Sequence, residues 1–194
     1  YIILEYCQYG DFSKFLNNRA LKEVWAKSFL IQIAKALQYL KSKNIFHRDI
    51  KPHNILLTKK YKIKISDFGF AKINNNNLSD TLCGSPLYMA PEILTYKKYT
   101  DKADLWSIGV MLFEMLTGTT PYNGISMYDL VNNIKNKSIK LPENITLSES
   151  CKDLLFKLLQ VKSTQRMNWD EFFNHPWLQK TKTMSKSMPL LNNK

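Results

Sequence analysis

Cysteine, glycine, proline and arginine are all scarce in this sequence. Its three cysteines, Cys7, Cys83 and Cys151, are odd in number and far apart. They fit neither a disulfide framework nor metal spacing and imply a reducing, intracellular setting. Six glycines and seven prolines in 194 residues exclude collagen-like and low-complexity chains. Long apolar runs are missing too: Leu105 to Leu116 is interrupted by Glu114 and falls well short of the roughly 20 residues that span a bilayer. The opening Tyr1-Ile2-Ile3-Leu4-Glu5 has no basic segment and no initiator methionine, so we expect no secretory leader and a truncated start. Arginine occurs only at positions 19, 48 and 166, so lysine supplies 25 of the 28 basic residues, against 16 acidic ones, for a net charge of +12. That charge raises binding to nucleic acid or anionic membrane. The lysines are dispersed, however, and phosphate recognition favours arginine's planar fork, so the expectation is a solvated basic surface with no specific nucleic-acid partner.

What is present is a globular composition, 44% hydrophobic and 12% aromatic, enough for one domain with its own core. The apolar, β-rich segment Tyr1–Cys7 predicts a strand, and Asp11 can cap a short helix from Phe12 to about Asn18. Ala26, Leu30, Ile33, Leu37 and Leu40 recur at three- and four-residue steps and predict a long amphipathic helix from Lys22 to about Ser42. Ile55–Leu57 and Tyr61–Ile65 read as two short strands bracketing a turn. From residue 70 to Glu92 periodicity is weak, and a long irregular segment in a small domain is usually functional. Ala103–Thr117 is apolar nearly all round and predicts a buried central helix stopped by Gly118. Further helices are expected at Ser126–Asn136, Ser148–Leu159 and Trp169–Asn174. The Lys/Ser/Thr-rich stretch 179–194 reads as a disordered tail or linker.

Chemistry concentrates in three strings: His47-Arg48-Asp49-Ile50-Lys51-Pro52-His53-Asn54, then Asp67-Phe68-Gly69, then Ala90-Pro91-Glu92. Each tripeptide alone is a weak signal, and Asp49 alone would read as a loop-capping carboxylate. In this order and spacing they resemble the catalytic loop, the magnesium-binding turn and the end of the activation segment of eukaryotic protein kinases. Phosphoryl transfer needs in-line positioning and charge neutralisation more than covalent help. The resemblance implies Asp49 as the base that orients the acceptor hydroxyl and Lys51 as a contact to the γ-phosphate. Asn54 and Asp67 are implied as hard oxygen ligands for Mg2+ shared with ATP. His47 is implied as a packing residue beneath Phe68 rather than an acid or base, and His53 and His175 carry no catalytic role. Asp104, in Asp104-Leu105-Trp106-Ser107-Ile108-Gly109, matches the residue that braces the catalytic loop. Glu92 and Arg166 match a buried ion pair of the helical lobe.

Ser79, Thr81 and Ser85 lie in the activation segment. The resemblance implies Thr81 as a phosphorylation switch that pairs with Arg48, modified by an activating kinase or by a second copy in trans, and Ser85 as a contact to the acceptor and catalytic loop. Lys51 and Gly84-Ser85-Pro86 resemble Ser/Thr rather than tyrosine kinases, and bulky Phe70 leans toward serine acceptors in protein substrates. Leu4-Glu5-Tyr6-Cys7, Asp67-Phe68-Gly69-Phe70-Ala71, the run Thr81 to Glu92 and Asp170 to Pro176 are similar to the autophagy-initiating Unc-51/Atg type.

The resemblance spans 1–178 and implies a mainly α kinase-like fold, a carboxy-terminal lobe with a hinge strand and small β-ribbons. In the hinge, Leu4 would be gatekeeper, the Glu5 carbonyl and Cys7 amide would face adenine, and Leu56 would pack below it. No G-x-G-x-x-G occurs anywhere, and the lysine and glutamate of the amino-terminal lobe are missing. Two readings follow: a cytoplasmic Ser/Thr kinase recorded as a fragment and inactive alone, or a noncatalytic module that binds partners or substrates through the helical lobe. The intact Asp49, Lys51, Asn54 and Asp67 favour the first.

Overall fold

In a computed structural model, residues 3–73 and 84–179 are described; Ser79, Thr81, Cys83 and nearly all of the 179–194 tail lie outside them. Helices α1 (Phe12–Leu16) and α2 (Glu23–Ser42) come first. Asp11 caps α1 by accepting from the Lys14 amide at 3.0 Å, as its position before an apolar run predicts. Strand β1 (Ile45–Phe46), a 3-10 turn at Pro52–Asn54, and β2 (Ile55–Leu57), β3 (Ile63–Ile65) and β4 (Lys72–Ile73) follow. β2 and β3 form the expected hairpin, with Ile55 opposite Ile65. The antiparallel β1–β4 ribbon was not foreseen, because two-residue strands carry no periodicity.

The expected strand at the start is corrected. Residues 3–7 form no strand, since a ladder needs a partner and the described residues supply one only further along. There Tyr9 N donates to Leu57 O at 3.1 Å and Leu57 N to Gly10 O at 2.9 Å. The hinge segment is therefore laced to β2, which sets Leu56 beside it.

A second correction falls within the irregular segment: residues 86–88 form a 3-10 turn and Pro91–Leu94 a short helix, α3, entered through proline at its first position. The core sits on α4 (Lys102–Thr117), buried from Ala103 to Phe113 and again at Met115 and Leu116. It ends where Gly118 takes φ +82°, as the glycine stop predicts. α2 lays Phe29, Leu30, Ile33 and Leu37 into this core. Beyond α4 come α5 (Met127–Asn136), α6 (Glu149–Leu158) and α7 (Trp169–Phe173), capped by Ser126, Ser148 and Asn168. α6 packs on α4 across Gly109, where a Cβ would stand 2.9 Å from Leu158 and Leu159. No described helix is long and apolar enough to cross a membrane.

Candidate active site

The loop between β1 and β2 carries the site, and it is braced from below by α4. Asp104 accepts from the His47 amide at 3.1 Å and the Arg48 amide at 3.0 Å. Two aligned N–H donors at one carboxylate fix the loop while Arg48 holds φ +67°, a conformation costly for a residue with a Cβ. Burial drives the Asp104 carboxyl up to about 6, against the lowering effect of those two amides.

Asp49, 4% exposed, is held on three sides. Its Oδ1 accepts from the Ser85 amide at 3.1 Å, and its Oδ2 from Asn54 Nδ2 at 2.8 Å and from Lys51 Nζ at 2.7 Å. Lys51 Nζ also donates to Ser85 Oγ at 2.7 Å. Ser85, 36 residues away in sequence, thus joins Asp49 and Lys51 as the reading of the sequence expects. Gly84 makes the approach possible, because a Cβ there would meet Arg48 O at 3.1 Å and Asp49 Oδ1 at 3.4 Å.

Asn54 Nδ2 is used twice, on the carbonyl and the carboxylate of Asp49. Its Oδ1 accepts from no described residue, which leaves one hard oxygen for a ligand. Ser66 N and Oγ both donate to Asn54 O, at 2.9 and 3.1 Å, which tethers Asp67 one residue further on. Asp67 takes φ +61° and its Oδ1 accepts from the Gly69 amide at 3.2 Å. An amide oxygen and a carboxylate of this kind fit a Mg2+ that completes its octahedron with nucleotide phosphates and water. Among the described residues no three His, Cys, Asp or Glu side chains cluster so as to hold a metal ion by themselves. In the hinge, Glu5 O and Cys7 N make no hydrogen bond within the described residues, leaving one acceptor and one donor for a heterocycle edge. Leu4 is 81% exposed, Cys7 is buried, and Leu56 is half-buried. The Glu5 side chain turns aside to pair with Lys64 at 3.0 Å.

The His47 ring lies 5.0 Å from that of Phe68, and burial lowers its pKa. With Nε2 facing Ser66 O at 3.0 Å and Nδ1 facing the Asp49 amide at 3.4 Å, it is a neutral spacer under the loop. Arg48 Nε donates to Phe70 O, and its Nη1 faces the Tyr99 hydroxyl at 3.4 Å. Arg166 and Glu92 pair through two bonds at 2.8 and 3.0 Å, and the guanidinium further donates to Lys102 O and Gln160 O. Thr81 lies outside the described residues. No feature of the sequence points to Tyr99. The sequence does leave a clue to the Tyr88 hydroxyl, which donates to Glu114 at 2.6 Å: a lone carboxylate in an apolar run needs a partner.

Residues 1–178 match the protein kinase domain family. This chain belongs to the protein kinases. It is 51% identical over 183 residues to the serine/threonine-protein kinase atg1 of Dictyostelium discoideum, covering 92% of this chain and 27% of that one. Similarity to the serine/threonine-protein kinase ATG1b of Arabidopsis thaliana is 46% over 184 residues, with 91% and 26% covered. For human serine/threonine-protein kinase ULK1 it is 42% over 202 residues, with 98% and 19% covered. The kinase chain therefore spans between about a fifth and about a quarter of the length of these relatives, which are Ser/Thr kinases of the Atg1/ULK type. Its fold is the mostly helical part of a protein kinase with small antiparallel ribbons.

Proposed function

We infer that this chain carries the catalytic and metal-binding side of a Ser/Thr kinase that transfers the γ-phosphate of ATP to Ser or Thr hydroxyls of protein substrates. The observation that carries the reading is the convergence of Lys51, Asn54 and Ser85 on the buried Asp49 carboxylate, with Asp67 tethered beside it. Asp49 orients the acceptor hydroxyl and takes its proton; the Asn54 and Ser85 donors keep its lone pairs aimed. Lys51, already bridging Asp49 and Ser85, is placed to follow a transferring phosphoryl group. Asn54 and Asp67 would hold Mg2+, and bound Mg2+ with ATP supplies the charge neutralisation that the transfer needs. Glu5 O and Cys7 N would receive adenine, with Leu56 beneath.

In this reading residues 1–178 are the hinge and helical lobe, 179–194 are a linker, and the protein works in the cytoplasm in the initiation of autophagy. Phosphate on Thr81, placed by an activating kinase or in trans, pairs with Arg48. The chain alone is inactive because it holds no Gly-rich loop and no amino-terminal-lobe lysine.

The test is Mg2+-dependent transfer from labelled ATP to a basic Ser/Thr substrate, by this chain and by a form extended upstream through those elements. Transfer by the extended form alone is the expected result. If neither form transfers phosphate, even with Thr81 phosphorylated, the noncatalytic module that binds partners or substrates through the helical lobe takes its place.

A further inference from the structure

The most exposed large apolar side chain among the described residues lies far from Asp49 in sequence. Ile125 is 104% exposed, Tyr128 is 78% exposed, and Met127 between them is also on the surface. Three such side chains lie within four residues of one another in sequence, and clustered exposed apolar side chains mark interaction sites.

The patch is held rigidly. Tyr122 stacks on Trp106 with ring centroids 6.3 Å apart, and its hydroxyl donates to Lys137 O at 3.2 Å. Asn133 Nδ2 donates to Asn123 O at 2.7 Å. Gly124 sits so close to α5 that a Cβ would stand 2.4 Å from Leu130 N, and Ser126 caps the helix through the Asp129 amide at 3.1 Å. Ile125 is thus presented outward by a loop fixed on both sides, so a partner pays little ordering entropy on docking there.

The surroundings say what that partner carries. Lys135 follows Tyr128 by seven residues and shares its face of α5, and Lys137 is exposed at the helix end. α5 packs on α3, whose end continues into exposed Tyr96, Lys97 and Lys98. The one carboxylate in the first turn of α5, Asp129, is engaged by Ser126 Oγ at 2.7 Å. An apolar centre with a lysine rim fits an apolar anchor flanked by Asp or Glu. It disfavours a second copy of this chain, which would set lysine against lysine on a molecule of net charge +12.

We propose that Ile125, Met127 and Tyr128, rimmed by Lys97, Lys98 and Lys135, form a docking surface for an acidic protein segment with an apolar anchor. The proposal is independent of phosphotransfer, so it can be tested on this chain with no nucleotide present.

The probe is a random 12-residue peptide display library, selected on the chain and on an Ile125→Ser/Tyr128→Ser double variant, with exposed Tyr39→Ser on α2 as control. Expected are enriched peptides that combine Asp or Glu with a Leu, Phe or Trp anchor. They should lose at least tenfold in affinity on the double variant, remain unchanged on the control, and weaken severalfold between 50 and 200 mM salt, roughly as rim charges are screened. Enrichment of neutral or basic peptides, no enrichment, or equal binding by the double variant would overturn the proposal. So would concentration-dependent dimerisation, or retention on anionic vesicles or RNA, that the double substitution abolishes.

Discussion

At the scale of single residues, buried charge sets the terms. Burial outweighs the two amide donors and pushes the Asp104 carboxyl up to about 6, whereas in the unfolded chain it returns to the ordinary aspartate value near 3.8. Between those values the folded chain binds the extra proton, so this group's contribution to stability is greatest below 3.8 and is lost as pH rises through 6. The span corresponds to on the order of 3 kcal/mol. Urea midpoints measured from pH 4 to 6.5 should fall more steeply for the wild type than for Asp104→Asn, and parallel slopes would count against the burial argument. Asp49→Asn keeps the size of the side chain but removes the carboxylate proposed as proton acceptor. In the upstream-extended form it should abolish phosphotransfer while leaving the circular dichroism spectrum intact, and normal turnover would dismiss Asp49 as base. Arg166, 1% exposed, also covers the Trp106 ring at 5.2 Å. Arg166→Met strands Glu92 and should cost roughly 3–5 kcal/mol in chemical denaturation, much of it recovered by adding Glu92→Gln.

At the scale of elements, legibility followed whether the signal was local. The Asp11 cap and the Gly118 stop were readable because a cap depends on residues within one turn of it, and the structure adds caps at Ser126 and Ser148, where the helices were expected to start. The Asn168–Glu171 capping box, with bonds at 2.9 and 2.6 Å, is of the same kind. Strand Tyr1–Cys7 failed because β structure requires a partner elsewhere in the chain, and the β1–β4 ribbon was invisible for the converse reason. α3 escaped notice because four residues give no period. Packing between elements was equally hidden: nothing local says that Gly109 is where α4 and α6 meet. Gly109→Ala removes a flexible residue from a helix interior, yet it drives a methyl to 2.9 Å from Leu158 and Leu159. The overpacking should prevail by about 1–3 kcal/mol, read as a lowered thermal midpoint. A rise in the midpoint would show that α6 can yield.

At the scale of the whole molecule, the site was readable as an ordered set of motifs, but its geometry was not. The strings around Asp49 and Asp67 announced themselves. That Tyr99 meets Arg48 depends on chain reversals that no spacing encodes, and the contact of Ser85 with the catalytic loop was legible only through the family resemblance. The same view exposes an uncovered face. Ile3, Leu4 and Tyr6 of the hinge and Phe68 and Phe70 beyond Asp67 all lie open, next to where a Gly-rich loop would sit in the proposed enzyme. Extension upstream should cover them and lower the fluorescence of bound anilinonaphthalene sulfonate severalfold; unchanged fluorescence would mean that the face belongs to something else.

Glu92 and Arg166 are 74 residues apart in sequence, while α2, α4 and α6 form from neighbours one turn away. Closing so long a loop is slow, and contacts of this kind tend to be made after the transition state for folding. The pair would then act as a latch on the finished structure rather than a guide to it. Weakening it should leave the refolding rate almost untouched and accelerate unfolding, so that lifetime rather than yield is what the ion pair protects.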